Sequence, residues 1–161
     1  MAFPGDRGLG GLVVAVDVSE DGSRVIVLVG AREHVLKSKR FYRATTWVKH
    51  FREIGSDKKR AYLAALPRRF ERVRDYIDVV RVCLDIKCVQ EHIDSVNPLV
   101  VLVDDKLFTS IEHPRKVRES RVKESHRKKL MMLADNLANY FRVLLKNNPR
   151  RFREELRRLE K

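Results

Sequence analysis

The order of elements read from the sequence predicts a three-layer α/β domain. It is built on a mixed five-stranded sheet, βββαβαβα, flanked by helices and closed by a basic C-terminal helix. Three observations carry this. Residues 12–19 (LVVAVDVS) form the continuous β-branched run of a strand buried on both faces. Glu20-Asp21-Gly22-Ser23 is a hairpin turn that sends the chain back into a second such run, 24–31 (RVIVLVGA). Leu130, Ala134, Leu137, Phe141 and Leu144 lay one apolar stripe along a long helix over 122–146.

The elements between these anchors follow in order. Residues 32–40 are read as a short, highly charged third strand suited to a sheet edge. Trp47, Phe51 and Ile54 recur at helical spacing behind Thr45 and Thr46, and Gly55 stops that helix. Ser56 caps a segment carrying Tyr62, Leu63 and Leu66, which Pro67 breaks or restarts ahead of Phe70, Val73 and Ile77. Residues 76–86 (YIDVVRVCLDI) are a fourth strand, 88–95 at most a short helix, and 99–103 a fifth strand running into Asp104-Asp105. Residues 106–121 have no period and are read as a basic loop. Asn147-Asn148-Pro149 ends the long helix, and 150–161 form a short amphipathic one. The expected organisation is a tail at 1–11, a domain at 12–146 and the basic helix at 147–161.

With 161 residues, the chain is long enough to bury a core. No apolar run approaches the roughly 20 residues that cross a bilayer, and MAFPGDRGLGG lacks the pattern of a secretory signal. The expected location is cytoplasmic, with no membrane partner. Cys83 and Cys88 cannot make a disulfide scaffold, and their spacing is not that of a zinc knuckle. The net charge is +13. Residues 106–161 hold 17 Lys/Arg against 7 Asp/Glu, and 32–75 hold 14 against 5, so two basic regions flank acidic, apolar segments. Such an excess favours a polyanion, usually nucleic acid, over a self-paired surface. Candidate phosphate contacts are Arg115, Lys116, Arg127, Lys128, Lys129, Arg150, Arg151 and Arg153.

Carboxylates stand where an α/β sheet can converge them. Asp17 lies late in the first strand, Asp85 ends the fourth, Asp104 and Asp105 end the fifth, and Asp135 interrupts the apolar stretch LMMLADNLA. A carboxylate inside an apolar run is costly unless paired, hydrogen-bonded or bound to a cation. Mg²⁺ or Mn²⁺ takes such oxygen ligands in phosphoryl-transfer sites. The alternative at each position is a helix cap or turn residue, most readily at Asp105. His34, His50, His92, His113 and His126 are scattered, and no GK[ST], GxGxxG or Gly-x-Ser-x-Gly motif occurs.

These motifs, VDVSEDG, VCLDIK, VLVDDKLF and MMLADNLANYFR, resemble the RNase H-like superfamily. Within it they are most similar to a group of uncharacterised proteins with a strand-end aspartate and a late Leu-Ala-Asp helix motif. The resemblance spans about residues 12–146. It implies a metal-dependent nuclease-like site in which Asp17, Asp85, Asp104 or Asp105, and Asp135 take the positions of the acidic ligands. A non-catalytic nucleic-acid binder on the same fold is the alternative. A PIN-like nuclease fits less well, because there a helix rather than a hairpin follows the first strand.

Overall fold

The unbroken apolar run at 12–19 is explained by where it lies: in the middle of the sheet, between two covering layers. The computed structural model describes residues 11–161, so the expected N-terminal tail lies outside the described residues except for Gly11. β1 (Leu12–Glu20) pairs antiparallel with β2 (Arg24–Arg32) and parallel with β4 (Val100–Val103). β3 (Val79–Cys83) lies antiparallel outside β2, and β5 (Lys116–Arg118) lies parallel outside β4. The sheet is therefore mixed and five-stranded, in the order β3-β2-β1-β4-β5.

Side chains alternate across this sheet with a period of two. Val13 and Ala15 join Val25, Val27, Val29 and Leu102 on one face. That face is covered by α3 (Lys59–Glu71), α5 (Ser125–Asn147) and α6 (Pro149–Leu159). Val14, Val16 and Val18 join Ile26, Leu28 and Val103 on the other face, covered by α4 (Ile86–Val96) and by Leu107 and Ile111. Gly22, at φ +78°, supplies the left-handed position of the β1–β2 turn. At Gly30 a Cβ would stand 2.5 Å from Val79 Cγ1, so glycine is what lets β3 close on β2.

Several expected elements are corrected. Residues 32–40 are not a strand beyond Arg32: they hold α1 (Glu33–Leu36) and the start of α2 (Lys39–Ala44). Ser38 caps α2 through Phe41 N–H, and the turns sink Leu36 and Phe41 into the core while the charges stay outside. Thr45 does not begin a helix. Its buried hydroxyl donates back to Phe41 O, closing α2, and 51–53 form only a 3₁₀ turn. The next helix runs unbroken through Pro67 to Glu71. The third strand is thus β3, the segment read as the fourth, trimmed at one end by a 3₁₀ turn at Arg74–Tyr76 and at the other by Asp85, which caps α4. α4 is 11 residues long and ends at Asn97 in the left-handed conformation, φ 50°. The stretch 106–121, read as loop, contains β5.

The C-terminal helix packs into the same core. Phe152 meets Phe141 edge to face at 5.7 Å, and Tyr140 O–H donates to the buried Glu155 at 3.0 Å. Lys161 then exchanges backbone hydrogen bonds with Val80 at 3.0 and 3.1 Å, covering the β3 edge. Among the described residues, no helix is long and apolar enough to cross a membrane.

Candidate metal centre

Strand register converts the sequence pattern into a site. The β1–β4 pairing sets Val16 beside Val103, so the next step places Asp17 beside Asp104, whose N–H donates to Val16 O at 2.9 Å. The β4–β5 pairing sets Val103 beside Arg118, so the same step places Asp104 beside Glu119. Three carboxylates therefore stand in one row across the carboxyl ends of three adjacent parallel strands, the end of an α/β sheet where ligands usually bind. Their nearest ligand oxygens all lie within 4.8 Å of one another. Parity puts all three on the α5 face, since Ala15, Leu102 and Val117, each two residues earlier, belong to that core.

α5 brings Asp135 over the row, into a cleft of about 820 Å³ that Asp17, Asp104, Asp105 and Glu119 also line. The Asp135 carboxylate is positioned from two sides: Phe51 N–H donates to Oδ2 at 2.8 Å, and Asn139 Nδ2 donates to Oδ1 at 3.2 Å. Asn139 Oδ1 in turn accepts from Ser19 Oγ at 2.9 Å, which ties α5 to the end of β1. On the far side, Asn136 Nδ2 donates to Lys49 O at 2.7 Å and its Oδ1 accepts from Tyr62 O–H. This network holds the 45–53 segment, and with it the Phe51 amide, against the helix.

Burial and mutual repulsion dominate the electrostatics of the row. Asp17 is 3 % exposed, and Val18 N–H donates to its Oδ1 at 2.8 Å. Burial pushes its carboxyl well above the ordinary range, and Asp104, Asp135 and Glu119 push it further. Glu119 is pushed up to about 7, first by burial and then by the charges of Asp104 and Asp135. Burial also raises Asp135, partly offset by the Phe51 amide. Among the described residues, nothing donates to the buried Oε2 atom of Glu119. A buried acceptor of this kind costs free energy unless something donates to it or binds it. All the donors are oxygens, so the set fits a hard divalent ion rather than a thiophilic one.

The remaining sequence candidates are elsewhere. Asp85 is exposed and does not join the row: its Oδ1 accepts from Cys88 N–H at 2.8 Å as the cap of α4. Asp105 lines the cleft but is exposed, and its pKa is lowered first by the Ser120 side chain and then by the Ser120 N–H, which donates to its Oδ1 at 3.2 Å. Of the eight predicted phosphate contacts, Lys128 lines the cleft, joined there by Arg52, Lys59 and Lys106, which sequence reasoning did not single out. Lys116 Nζ donates to Phe108 O and Ile111 O, and Lys129 Nζ to Thr45 O. Arg127 is held by Glu33 at 3.2 Å, and His126 is bound to the same carboxylate at 2.7 Å. Arg115, Arg150, Arg151 and Arg153 are exposed and away from the cleft, with Arg150 paired to Glu154 and Arg151 to Glu155.

Glu119 is the ligand candidate that sequence reasoning missed. The signal was present: Ala15-x-Asp17, Leu102-x-Asp104 and Val117-x-Glu119 share one pattern, an apolar residue followed two later by an acid. Comparison with protein-family models and with curated proteins returns no match for the chain.

Proposed function

We propose that this chain is a divalent-metal-dependent phosphodiesterase of nucleic acids on an RNase H-like fold, acting in the cytoplasm. The observation that carries the reading is the row of Asp17, Asp104 and Glu119 across three parallel strands, with Asp135 brought over it by α5. The order β3-β2-β1-β4-β5, with three antiparallel strands followed by two parallel ones, supports the fold assignment. Mg²⁺ or Mn²⁺ suits the all-oxygen donor set.

The chain's own groups divide the work. Asp17, Asp104 and Glu119 hold the ion or ions, and Asp135, fixed by Phe51 N–H and Asn139, offers a further carboxylate from the opposite wall. When bound, the metal would lower the pKa of a coordinated water and neutralise charge on the phosphate. Arg52, Lys59, Lys106 and Lys128 line the same cleft and would bind the phosphates flanking the reacting one. The same cleft is thus lined by four acids that can hold metal and four cations that can bind phosphate.

Asp17→Asn tests this reading. It keeps the size of the side chain but removes the charge a hard cation needs. The wild type is expected to cut at least one of single- or double-stranded RNA, DNA or their hybrid with Mg²⁺ or Mn²⁺. The variant should lose that cleavage by about a hundredfold or more while still retaining the nucleic acid in a gel-shift assay. A wild type that binds nucleic acid yet leaves every substrate uncut with either metal would instead establish a non-catalytic binder.

A further inference from the structure

A second group of ligand-type side chains sits on the opposite face of the sheet. Cys83 ends β3 and belongs to the core beneath α4, away from the Asp17 face. Cys88 lies in the first turn of α4 and His92 one turn later, so the two share a helix face. The Asp85 cap fixes this turn by accepting from Cys88 N–H. Cys83, buried at the end of β3, and Cys88 are joined as a disulfide. An imidazole nitrogen of His92 and both sulfurs lie within 4.8 Å of one another.

We propose that the reduced chain binds one thiophilic divalent ion of the zinc type through Cys83 Sγ, Cys88 Sγ and an imidazole nitrogen of His92, and that the disulfide is the oxidised, metal-free state of the same site. Two ligands at zinc-bond lengths of about 2.3 Å for sulfur and 2.0–2.1 Å for nitrogen stand roughly 3.5–3.8 Å apart in a tetrahedron. The His92 nitrogen lies within 4.8 Å of both sulfurs, and the two sulfurs, bonded to each other here, must part to take up that spacing. A disulfide needs two cysteines and has no use for the third donor. The nitrogen is what marks the cluster as a metal site. In sequence it reads Cys-x₄-Cys-x₃-His, which a search for paired cysteines alone passes over. Cys88 and His92 are half-exposed, so the cluster is reachable from solvent.

Conversion between the states balances with a dithiol as reductant. Its thiolate attacks Cys88 Sγ, the more accessible sulfur, and Cys83 leaves as thiolate. The second thiol of the reductant then displaces Cys88, so the reductant becomes a cyclic disulfide and two electrons and two protons pass to the cysteines. Metal loading releases those two protons to solvent. A cytosolic chain would keep both thiols reduced, which is the state in which the site forms.

Cobalt(II) is the probe. The full chain, reduced with dithiothreitol and desalted without oxygen, is titrated with Co²⁺ and followed by absorbance. A thiolate-to-cobalt charge-transfer band with the visible bands of tetrahedral coordination is expected to saturate at one ion per chain. The oxidised chain should show neither. The acidic cleft contains no thiolate, so Asp17→Asn should leave the band intact. His92→Ala should weaken Co²⁺ by about tenfold or more, and Cys88→Ser should remove most of the charge-transfer intensity. No band in the reduced, folded wild type, or equal affinity in His92→Ala, overturns the proposal. A chain that unfolds on reduction, judged by circular dichroism, and is not restored by the ion overturns it equally.

Discussion

Asp17 and Glu119 carry an electrostatic cost that the fold maintains. For both, the folded pKa stands above the ordinary value, so the protonated form is the one folding favours. Well below the ordinary values of 3.8 for Asp17 and 4.5 for Glu119 this costs nothing, because folded and unfolded chains are both protonated. Between 4.5 and about 7 the unfolded Glu119 loses its proton while the folded one keeps it, so stability falls as pH rises through that window. Asp17 and Asp135 act in the same direction from the ordinary aspartate value upward. The metal-free chain is therefore expected to melt at a higher temperature at pH 5 than at pH 8 in EDTA, and Mn²⁺ at pH 8 should recover the difference. Asp17→Asn should flatten the profile and stabilise the metal-free chain at pH 8. Each unit by which the Asp17 carboxyl is raised costs its ionised form about 1.4 kcal/mol. A melting temperature in EDTA that is level or rising from pH 5 to 8 would show that the carboxylates repel one another too little to need a cation.

Between elements, the weak joint is where α5 meets the 45–53 segment. Asn136 is fully buried and bonds Lys49 O and Tyr62 O–H at once. Asn136→Ala removes both bonds and leaves the Tyr62 hydroxyl only the one it accepts from Lys49 N–H, at a cost of about 2 kcal/mol, and frees the segment that carries the Phe51 amide. Mn²⁺ affinity should fall with it, as calorimetry would show. A variant that loses stability but binds Mn²⁺ as the wild type does would mean that Asp135 is held well enough by Asn139 alone. Legibility in the sequence divides at this same scale. β1, β2 and β4 were readable because burial on both faces leaves an unbroken apolar run. Asp135 was readable because it breaks an apolar stripe. β5 was not: it has three residues, of which only Val117 is apolar, and its flanking cations lie along the Phe108 ring at 4.3 Å for Lys116 and 4.2 Å for Arg118. Their apolar stems act as core while their charges read as solvent-facing loop. With β5 unread, Glu119 had no strand end to stand on. Asp85 was misplaced for the converse reason. A strand end followed by an aspartate is also how a helix is capped, and only the start of α4 at the very next residue decides between the two.

For the whole molecule, the proposed nucleic-acid partner raises the question of which of the 35 Lys and Arg residues would meet it, since a charge of +13 on its own attracts a polyanion without orienting it. The structure divides them. Lys116, Arg127 and Lys129 are spent inside the chain, on carbonyls or on Glu33. Arg150, Arg151 and Arg153 sit on α6, whose buried side packs against the core away from the cleft. Arg52, Lys59 and Lys128 line the cleft itself. If the cleft holds a single strand, each phosphate they neutralise contributes about 0.7 to the slope of log K against log salt. Replacing Arg52, Lys59 and Lys128 together by alanine should flatten that slope by about 2 and weaken binding to all sequences alike. Replacing Arg150, Arg151 and Arg153 removes the same formal charge from the molecule, so it is the matched control. It should lower affinity slightly through the long-range field and leave the slope within about half a unit. Fluorescence anisotropy on a labelled single strand, read at several salt concentrations with Ca²⁺ in place of Mg²⁺ to slow cleavage, separates the two. Equal slopes for both triple variants would mean that the bound strand follows net charge rather than the cleft, and would move the contact surface off the carboxylate row.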